Sequence, residues 1–230
     1  MHTLLTSEIF ILTLVTGIYL AALWLYRKTK LNILHPLLVS IPVLALFLRM
    51  FDIPFETFEA GSRMINFLLG PTVVALGYLL YEQRDHLKAN GISIIISVFI
   101  GSIIGIVSVI LIARWFGADH ELIASLEPKS VTTPIAMSIA ERTGGIPAIA
   151  AVVVIVVGIF GGIVGPFILD HLGIKSRIAR GLALGSAAHG LGTARAMELG
   201  AIEGAISGLA IGLMGIITAI LVPIIEMIFF

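Results

Sequence analysis

"SLEPKSVTTPIAM", residues 125–137, places an acid, a lysine, hydroxyl side chains and two prolines directly before an apolar run long enough to cross a membrane. A second stretch, "GSAAHGLGTARAM", residues 185–197, stands in the same position before the next apolar run. Backbone that leaves the helix within a membrane must be packed in protein or line a wet cavity, because lipid cannot satisfy its amide and carbonyl groups. The way these two breaks are related therefore decides the fold.

The composition indicates an integral membrane protein. Of the 230 residues, 58% are hydrophobic and 12% are charged, and the mean hydropathy is +1.10, whereas about a quarter of the residues of a soluble domain are charged. Several separate runs approach the roughly 20 apolar residues that cross a bilayer. The sequence predicts six transmembrane helices, near residues 8–26, 34–50, 64–81, 91–115, 146–169 and 205–225.

The composition also disfavours several classes of function. The chain contains no cysteine, which excludes disulfides, thiolate nucleophiles and iron–sulfur clusters. Its net charge is zero and it has no basic block, so nucleic acid is not expected as a partner. The only nucleophiles are hydroxyls without an evident base, so we expect neither an enzyme nor a cofactor.

Basic residues sort the loops into two sides. Lysine and arginine in short loops tend to remain cytoplasmic. They cluster after the first, third and fifth predicted helices, as Arg27, Lys28 and Lys30, then Arg84 and Lys88, then Lys175, Arg177 and Arg180. This distribution places the N-terminus outside. Residues 121–145 and 180–204 must then each begin and end on one side of the membrane, the first on the outer side and the second on the inner side.

An offset of 60 residues aligns these two segments. It matches Thr133 with Thr193, and it matches identical residues at positions 136 and 196, 137 and 197, 144 and 204, 146 and 206, and 150 and 210. Small and apolar residues are common in this chain, so the match gains weight only from the recurring order of hairpin and long helix. Consecutive units of one hairpin and one crossing enter the membrane from opposite faces, which makes an inverted repeat.

The predicted fold is therefore all-α, with six transmembrane helices and two re-entrant helical hairpins in an inverted repeat. This is the usual construction of secondary transporters, which hold their substrate near the midplane. We expect one polytopic membrane domain over residues 1–230, divided into an N-terminal helix pair (8–60), helices with the first hairpin (61–145), and a helix, the second hairpin and the last helix (146–230).

The polar residues of the two breaks predict a site for a small anion. Helix N-termini that converge at mid-membrane present free amide donors and positive dipole ends. We expect Thr133 to be an N-cap with Pro134 at the first helical position, and Thr193 to cap the helix after the second break. The candidate binding residues are Lys129, Ser130, Thr132 and Thr133 from the first hairpin and His189, Gly190, Gly192, Thr193 and Arg195 from the second.

Two further features are expected to support the site. Glu198, one turn from Arg195, can neutralise the arginine or carry a coupled proton. Gly70-Pro71 is expected to kink a helix beside the site.

Each assignment has a plainer alternative. Residues 122–145 can form an exposed loop in which Glu127 and Lys129 are a solvated pair. His189 can be a buried histidine that is satisfied by backbone. Arg195 and Glu198, three residues apart, can form a structural ion pair. A stripe of small residues has close helix packing as its favoured role, and its members are Gly204, Gly208 and Gly212.

Four segments resemble one known family. They are "HPLLVSIPVL" (35–44), "LLGPTVVALGYLLY" (68–81), "PKSVTTPIAMSIAERTGGIPAI" (128–149) and "RGLALGSAAHGLGTARAMELGAIEGAISGLA" (180–210). These segments are similar to the LrgB/CidB family of bacterial membrane proteins, which includes the plant plastidal glycolate/glycerate translocators. The resemblance extends from about residue 34 to residue 225, and the two longest segments are the specific ones.

The resemblance implies two kinds of function. Bacterial members are described as holin-like or antiholin-like and are linked to murein hydrolase export and lysis, while plastid members and some bacterial relatives move small carboxylates such as glycolate, glycerate or pyruvate. It also implies a multi-pass protein of the bacterial cytoplasmic membrane beside a small LrgA/CidA-like partner. The midplane site favours a monocarboxylate transporter, with an elevator-like motion in a homodimer as one form of it. A pore-forming or antiholin-like regulator of lysis is the alternative.

Overall fold

The computed structural model describes residues 7–29, 31, 34, 36–65, 67–68, 71, 78, 81 and 84–230, with the side chains of 84–89 excepted. In this part of the chain all regular structure is helical. The chain divides into two compact units, Met1–Pro71 and Thr72–Phe230. The expected single polytopic domain stays a prediction.

The described residues of the first unit form the helices α1 (Glu8–Thr29), α2 (Pro36–Met50) and α3 (Phe55–Gly61). Helices α1 and α2 pack through Phe10 and Phe47, whose ring centroids lie 6.2 Å apart. The backbone of Gly61 in α3 lies against the side chain of Ile11. The chain bends by 119° between α2 and α3. The sequence predicted no helix at α3, which is only seven residues long.

The second unit contains the helices that position the candidate site. They are α4 (Arg84–Trp115), α5 (His120–Leu126), α6 (Thr133–Arg142), α7 (Pro147–His171), α8 (Arg177–Leu199) and α9 (Ala201–Phe229). Helix α4 is interrupted by non-helical backbone at Asn90, after which its apolar part begins. Helix α8 is interrupted in the same way at Ala188 and His189.

Four of the described helices are long and apolar enough to cross a membrane: Glu8–Thr29, Asn90–Trp115, Pro147–His171 and Ala201–Phe229. The bent pair α2 and α3 makes a fifth if the pair is one span. These helices confirm the expectation of an all-helical, multi-pass membrane protein. The count of six crossings stays a prediction, because the predicted helix at 64–81 lies largely outside the described residues.

Helix α9 is the centre of the second unit. In its most apolar part 61% of the residues are buried, compared with 28% in α4 and 22% in α7. One core cluster joins buried side chains of these helices and of α6, among them Val98, Ile110, Ala136, Val154 and Leu209. Lipid is as apolar as these side chains, so close packing and buried hydrogen bonds, rather than transfer out of water, hold such helices together.

Candidate functional site

The first hairpin consists of α5, the turn at residues 127–132 and α6. Asp119 begins α5 as its N-cap and accepts a backbone N–H of the first turn at 2.9 Å. Gly144, with φ of +80°, follows the end of α6. Oγ of Ser125 in α5 then accepts the backbone N–H of Ile146 at 2.7 Å. The chain therefore returns beside α5 after α6, which closes the base of the hairpin.

The second hairpin is α8, which breaks at Ala188 and His189, where φ is −132° and +41°. Gly192 lies so close to the carbonyl oxygen of Leu184 that a Cβ on Gly192 would overlap it. Residues eight apart in a straight helix are separated by about 12 Å, so the chain reverses at the break. The first and second arms of this hairpin are residues 177–187 and 190–199.

Both hairpin tips reach the middle of a neighbouring apolar helix. The ring of His189 packs on Gly158, the twelfth of the 25 residues of α7, and a Cβ on Gly158 would lie 2.5 Å from its Cε1. In the first hairpin, Nζ of Lys129 lies 4.0 Å from the position of a Cβ on Gly105. Gly105 is the sixteenth of the 26 residues in the apolar part of α4. Each tip therefore lies near the middle of the helix that it contacts.

The two hairpins occupy opposite ends of α7. The first hairpin joins the C-terminus of α4 to the N-terminus of α7, and the second joins the C-terminus of α7 to the N-terminus of α9. Contacts at the far end of α9 agree with this arrangement. Arg114 donates to the carbonyl oxygen of Phe229 at 3.1 Å, and Nε2 of His120 lies 3.3 Å from Oε1 of Glu226. Helix α9 therefore begins at the base of the second hairpin and ends at the base of the first.

Glycines bring the first arm of the second hairpin onto the backbone of α9. The carbonyl oxygens of Glu203 and Ser207 occupy the space that a Cβ on Gly181 or Gly185 would need. Ser207 also fixes the second arm, because its Oγ lies 2.7 Å from Oγ1 of Thr193. Both arms of the second hairpin are thus held by the same turn of α9.

One face of α9 carries Gly204, Gly208 and Gly215. A Cβ on Gly204 would lie 2.7 Å from Cγ of Met197 in the second hairpin, and one on Gly215 would lie 2.8 Å from Cδ1 of Ile135 in the first. Gly208 is buried, yet nothing lies within 4 Å of its Cβ position. Gly204 is therefore closely packed. Gly208 instead has open space beside it, between the contacts that the two hairpins make with α9.

The predicted polar residues of the first hairpin gather at its turn. Nζ of the half-buried Lys129 donates to Oγ of the buried Ser130 at 3.1 Å. Thr132, not Thr133, is the N-cap of α6. The prediction of Thr133 was wrong because Pro134 fits any position of the first turn, where N–H groups have no helical acceptor. Oγ1 of Thr132 is buried without a hydrogen-bond partner, so the turn combines a cation with an unpaired hydroxyl.

In the second hairpin, His189 and Thr193 are buried and bond to neighbouring helices. Nε2 of His189 lies 2.8 Å from the carbonyl oxygen of Val154 in α7, as the plainer alternative for this residue expects. The helix resumes at Gly190, so Thr193 does not cap it and that prediction was wrong. The hydroxyl of Thr193 contacts Ser207 instead.

Arg195 and Glu198 form an ion pair on the outside of the second arm. Their side chains are 45% and 58% exposed, which matches the alternative of a structural pair. Arg195 lies six residues after His189, about 9 Å farther along a helix. Among the described residues, no hydrogen bond or ion pair joins the predicted residues of one hairpin to those of the other.

Glu127 was not among the predicted site residues, yet it lies at the turn of the first hairpin. It is 2% exposed, and both of its carboxylate oxygens lack a hydrogen-bond partner. The alternative of a solvated Glu127–Lys129 pair was wrong, because the turn folds inward and Lys129 bonds to Ser130. The sequence carried one signal for it, an acid directly before a proline within a predicted membrane hairpin.

The remaining site prediction, a kink at Gly70-Pro71, involves a glycine outside the described residues. Across the part of the chain that the structure describes, no group of three or more His, Asp or Glu side chains is placed to hold a metal ion.

Two helical hairpins set between long apolar helices define a class of protein, an all-helical multi-pass membrane protein. Within this class, the model of the LrgB-like family matches residues 14–228, and the chain belongs to that family. The family agrees with the resemblance carried by the sequence segments above.

Several relatives are similar over most of their length. "Uncharacterized protein YxaC" of Bacillus subtilis (strain 168) is 38% identical over 221 residues, 96% of each chain. An "Uncharacterized protein" of Haemophilus influenzae is 38% identical over 217 residues, 94% of each chain. "Antiholin-like protein LrgB" of Bacillus mycoides (strain KBAB4) is 36% identical over 188 residues, 82% of each chain. No solved structure matches the chain.

Proposed function

We propose that this protein moves small monocarboxylates, such as pyruvate, glycolate or glycerate, across the bacterial cytoplasmic membrane by alternating access. The pair of hairpins is the observation that carries the proposal. They start at opposite ends of α7, and each tip reaches the middle of a neighbouring apolar helix. Inverted repeats with broken helices and a midplane site are the usual construction of secondary transporters. A lytic pore does not need this arrangement.

The first hairpin supplies the charge that recognises an anion. Lys129 is a half-buried cation at the hairpin tip, and Ser130 and Thr132 place hydroxyls beside it. Helix α6 begins at this turn without a side-chain cap, so its positive dipole end faces the same region. An ionisable group at membrane depth is a functional candidate by default. One cation balances one carboxylate, which favours a monocarboxylate.

The second hairpin completes the proposed site from the other side. The buried space beside Gly208 lies next to the turn of α9 that holds Thr193, and it is bounded along the helix by contacts from both hairpins. His189 fixes the tip of this hairpin through its bond to α7. Arg195, exposed on the second arm, is neutralised by its ion pair with Glu198 and supports this arm rather than binding the anion.

The assembly is part of the same proposal. We expect the chain to work as a homodimer, with the loaded hairpins moving between the two faces of the membrane in an elevator-like manner. A small LrgA/CidA-like membrane protein is the expected partner. These features follow from the family resemblance. They also follow because a site that moves within the membrane needs a stationary part of the assembly to move against.

Uptake by purified protein in proteoliposomes tests the proposal. We expect wild-type protein to take up labelled pyruvate or glycolate, and Lys129→Met to reduce uptake about tenfold or more, which corresponds to 1.4 kcal/mol of lost stabilisation. Lys175→Met is the matched control, because Lys175 is exposed in the loop after α7. Size-exclusion profiles verify folding. Equal uptake by the wild type and by folded Lys129→Met contradicts the anion site.

A second function is favoured by the name of a relative. The protein of Bacillus mycoides that is 36% identical to this chain is named an antiholin-like protein. An oligomeric regulator of lysis is therefore the other candidate. It predicts leakage of dye-sized molecules from vesicles, or control of such leakage through a partner, regardless of substitutions at Lys129 and Thr132.

A further inference from the structure

The carboxyl group of Glu127 has no partner that stabilises a negative charge. It is 2% exposed at the end of α5, and neither oxygen accepts a hydrogen bond. A charged carboxylate buried in this way costs several kcal/mol, and such a group takes up a proton instead. In the described arrangement Glu127 is therefore a neutral acid at the tip of the first hairpin.

The neighbouring lysine does not compensate this acid. Lys129 is two residues away, but its Nζ donates to Ser130 and points toward Gly105 of α4. Within the described residues no ion pair joins Glu127 to Lys129. The acid and the cation of this turn therefore face different surroundings, which leaves Lys129 available for a substrate anion.

Two titratable groups lead from Glu127 toward the base of the hairpin. Glu127, the C-cap of α5, has helical backbone and follows His120 by seven residues, which places the two side chains on one face of the helix. Nε2 of His120 lies 3.3 Å from Oε1 of Glu226 on α9, close but without hydrogen-bond geometry. Glu226 therefore borders the face of α5 that carries Glu127. The side chain of His120 is 44% exposed, so this series of titratable groups ends at water.

The other charged groups nearby are occupied or distant. The guanidinium of Arg114 is bonded to the carbonyl oxygen of Phe229 and lies 4.5 Å from the ring centroid of Phe230. Most of the remaining charged or titratable side chains described on the helices packed against this hairpin are exposed, namely Glu121 of α5, Glu141 and Arg142 of α6, and Asp170 and His171 of α7. Glu203 of α9 is buried, but it lies in the first turn of that helix, at the opposite end from Glu226, and faces Arg177 of the second hairpin. The titratable groups on the face of α5 that carries Glu127 are thus His120 and, from α9, Glu226, whereas Lys129 faces α4.

We infer that Glu127 is the proton-binding residue that couples monocarboxylate movement to a proton gradient, with His120 and Glu226 as its path to water. This inference rests on the transport function proposed above. When one proton neutralises Glu127 and one carboxylate neutralises Lys129, the tip carries no net charge. In the structure, the tip with Glu127 neutral and Lys129 charged carries one positive charge, which favours binding of a monocarboxylate. After both the carboxylate and the proton have left, ionised Glu127 and charged Lys129 again sum to zero. A tip loaded with the proton alone or the anion alone carries a charge through a low-dielectric region, which is costly.

This assignment replaces the proton carrier expected from the sequence. Glu198 is 58% exposed and is paired with Arg195. A carboxylate in that position remains in contact with water whether or not a substrate is bound, so its protonation has little reason to follow the movement of the hairpin. Glu127 lies in the same turn as Lys129, the proposed anion-binding residue. Protonation of Glu127 therefore changes the net charge of the turn that binds the anion.

Two measurements on the same proteoliposomes separate coupling from transport. Counterflow of labelled pyruvate at equal pH on both sides reports movement of the loaded site. A pH-sensitive dye trapped inside reports protons that move when a pyruvate gradient is imposed. We expect the wild type to show both signals, and Glu127→Gln to keep counterflow and lose proton movement completely, because the amide mimics the protonated acid. Glu141→Gln, which changes an exposed acid of the same hairpin, should keep both.

The outcomes distinguish this inference from the function on which it rests. A wild type without counterflow overturns the transport proposal. Counterflow without proton movement in the wild type, or proton movement that persists in Glu127→Gln, overturns the coupling role while transport stands. Loss of both signals in a folded Glu127→Gln protein also overturns it, in favour of a substrate-binding role. If that variant does not fold, Glu226→Gln decides: slower proton movement with intact counterflow supports the path, and unchanged proton movement refutes it.

Discussion

His189 adopts a backbone conformation that favours glycine, with φ of +41° and ψ of −130°. A residue with a bulky side chain in such a conformation costs on the order of 1–3 kcal/mol. Its imidazole offsets this cost, because Nε2 bonds to the carbonyl oxygen of Val154 and the ring packs against Gly158. One residue thus both reverses the chain and anchors the hairpin tip to the middle of α7.

The two contributions of His189 can be separated by substitution. His189→Ala removes the ring contacts and keeps the strained backbone, whereas His189→Gly removes both. Glycine relieves the backbone strain but also gives the unfolded chain more conformational entropy, which lowers stability. The net expectation is that the free energy of unfolding of the glycine variant exceeds that of the alanine variant by about 1 kcal/mol. Thermal unfolding of the purified proteins in detergent measures the difference. An alanine variant as stable as the glycine variant would show that the backbone at this position is unstrained.

At the scale of the element, the second hairpin depends on how closely its arms approach. A Cβ on Gly192 would overlap the carbonyl oxygen of Leu184 and lie 2.8 Å from Cβ of Ala188, whereas nothing lies within 4 Å of the Cβ position of Gly190. We expect Gly192→Ala to destabilise the fold by about 1–3 kcal/mol through overpacking, and Gly190→Ala to be neutral or slightly stabilising. Unfolding temperature and monodispersity in detergent test this matched pair. Equal behaviour of the two variants contradicts the reversal of α8.

The second hairpin also shows which features of a broken helix can be predicted from its sequence. The segment "HGLGT" predicted a break, and the break lies at its first residue and the alanine before it. The glycines serve other purposes, since Gly192 permits close approach and Gly190 is exposed. A glycine needed for packing and one needed for a positive φ look alike in a sequence. For this reason the break was predictable to within a few residues, while the identity of the strained residue was not.

At the scale of the whole molecule, the long helices were predictable and the buried acid was not. Whether a segment can span a membrane depends on its own length and composition, so α1, α7, α9 and the apolar part of α4 lie within a few residues of the predicted bounds. The burial of Glu127 depends instead on how the first hairpin packs, and α9, which carries Glu226, is far away in the sequence. Spacing within one segment carries no information about such a contact.

The arrangement of the two hairpins makes a prediction about the whole molecule. Because they lie at opposite ends of α7, their bases should be exposed on opposite faces of the membrane, the first outside and the second inside. The chain has no cysteine, so a single introduced cysteine can be labelled without background from other thiols of the protein. In intact cells, a membrane-impermeant maleimide should label Leu122→Cys directly and Lys175→Cys only after permeabilisation, since both positions are exposed. Labelling of both from one face would mean that α7 does not cross the membrane, and the inverted repeat would be lost with it.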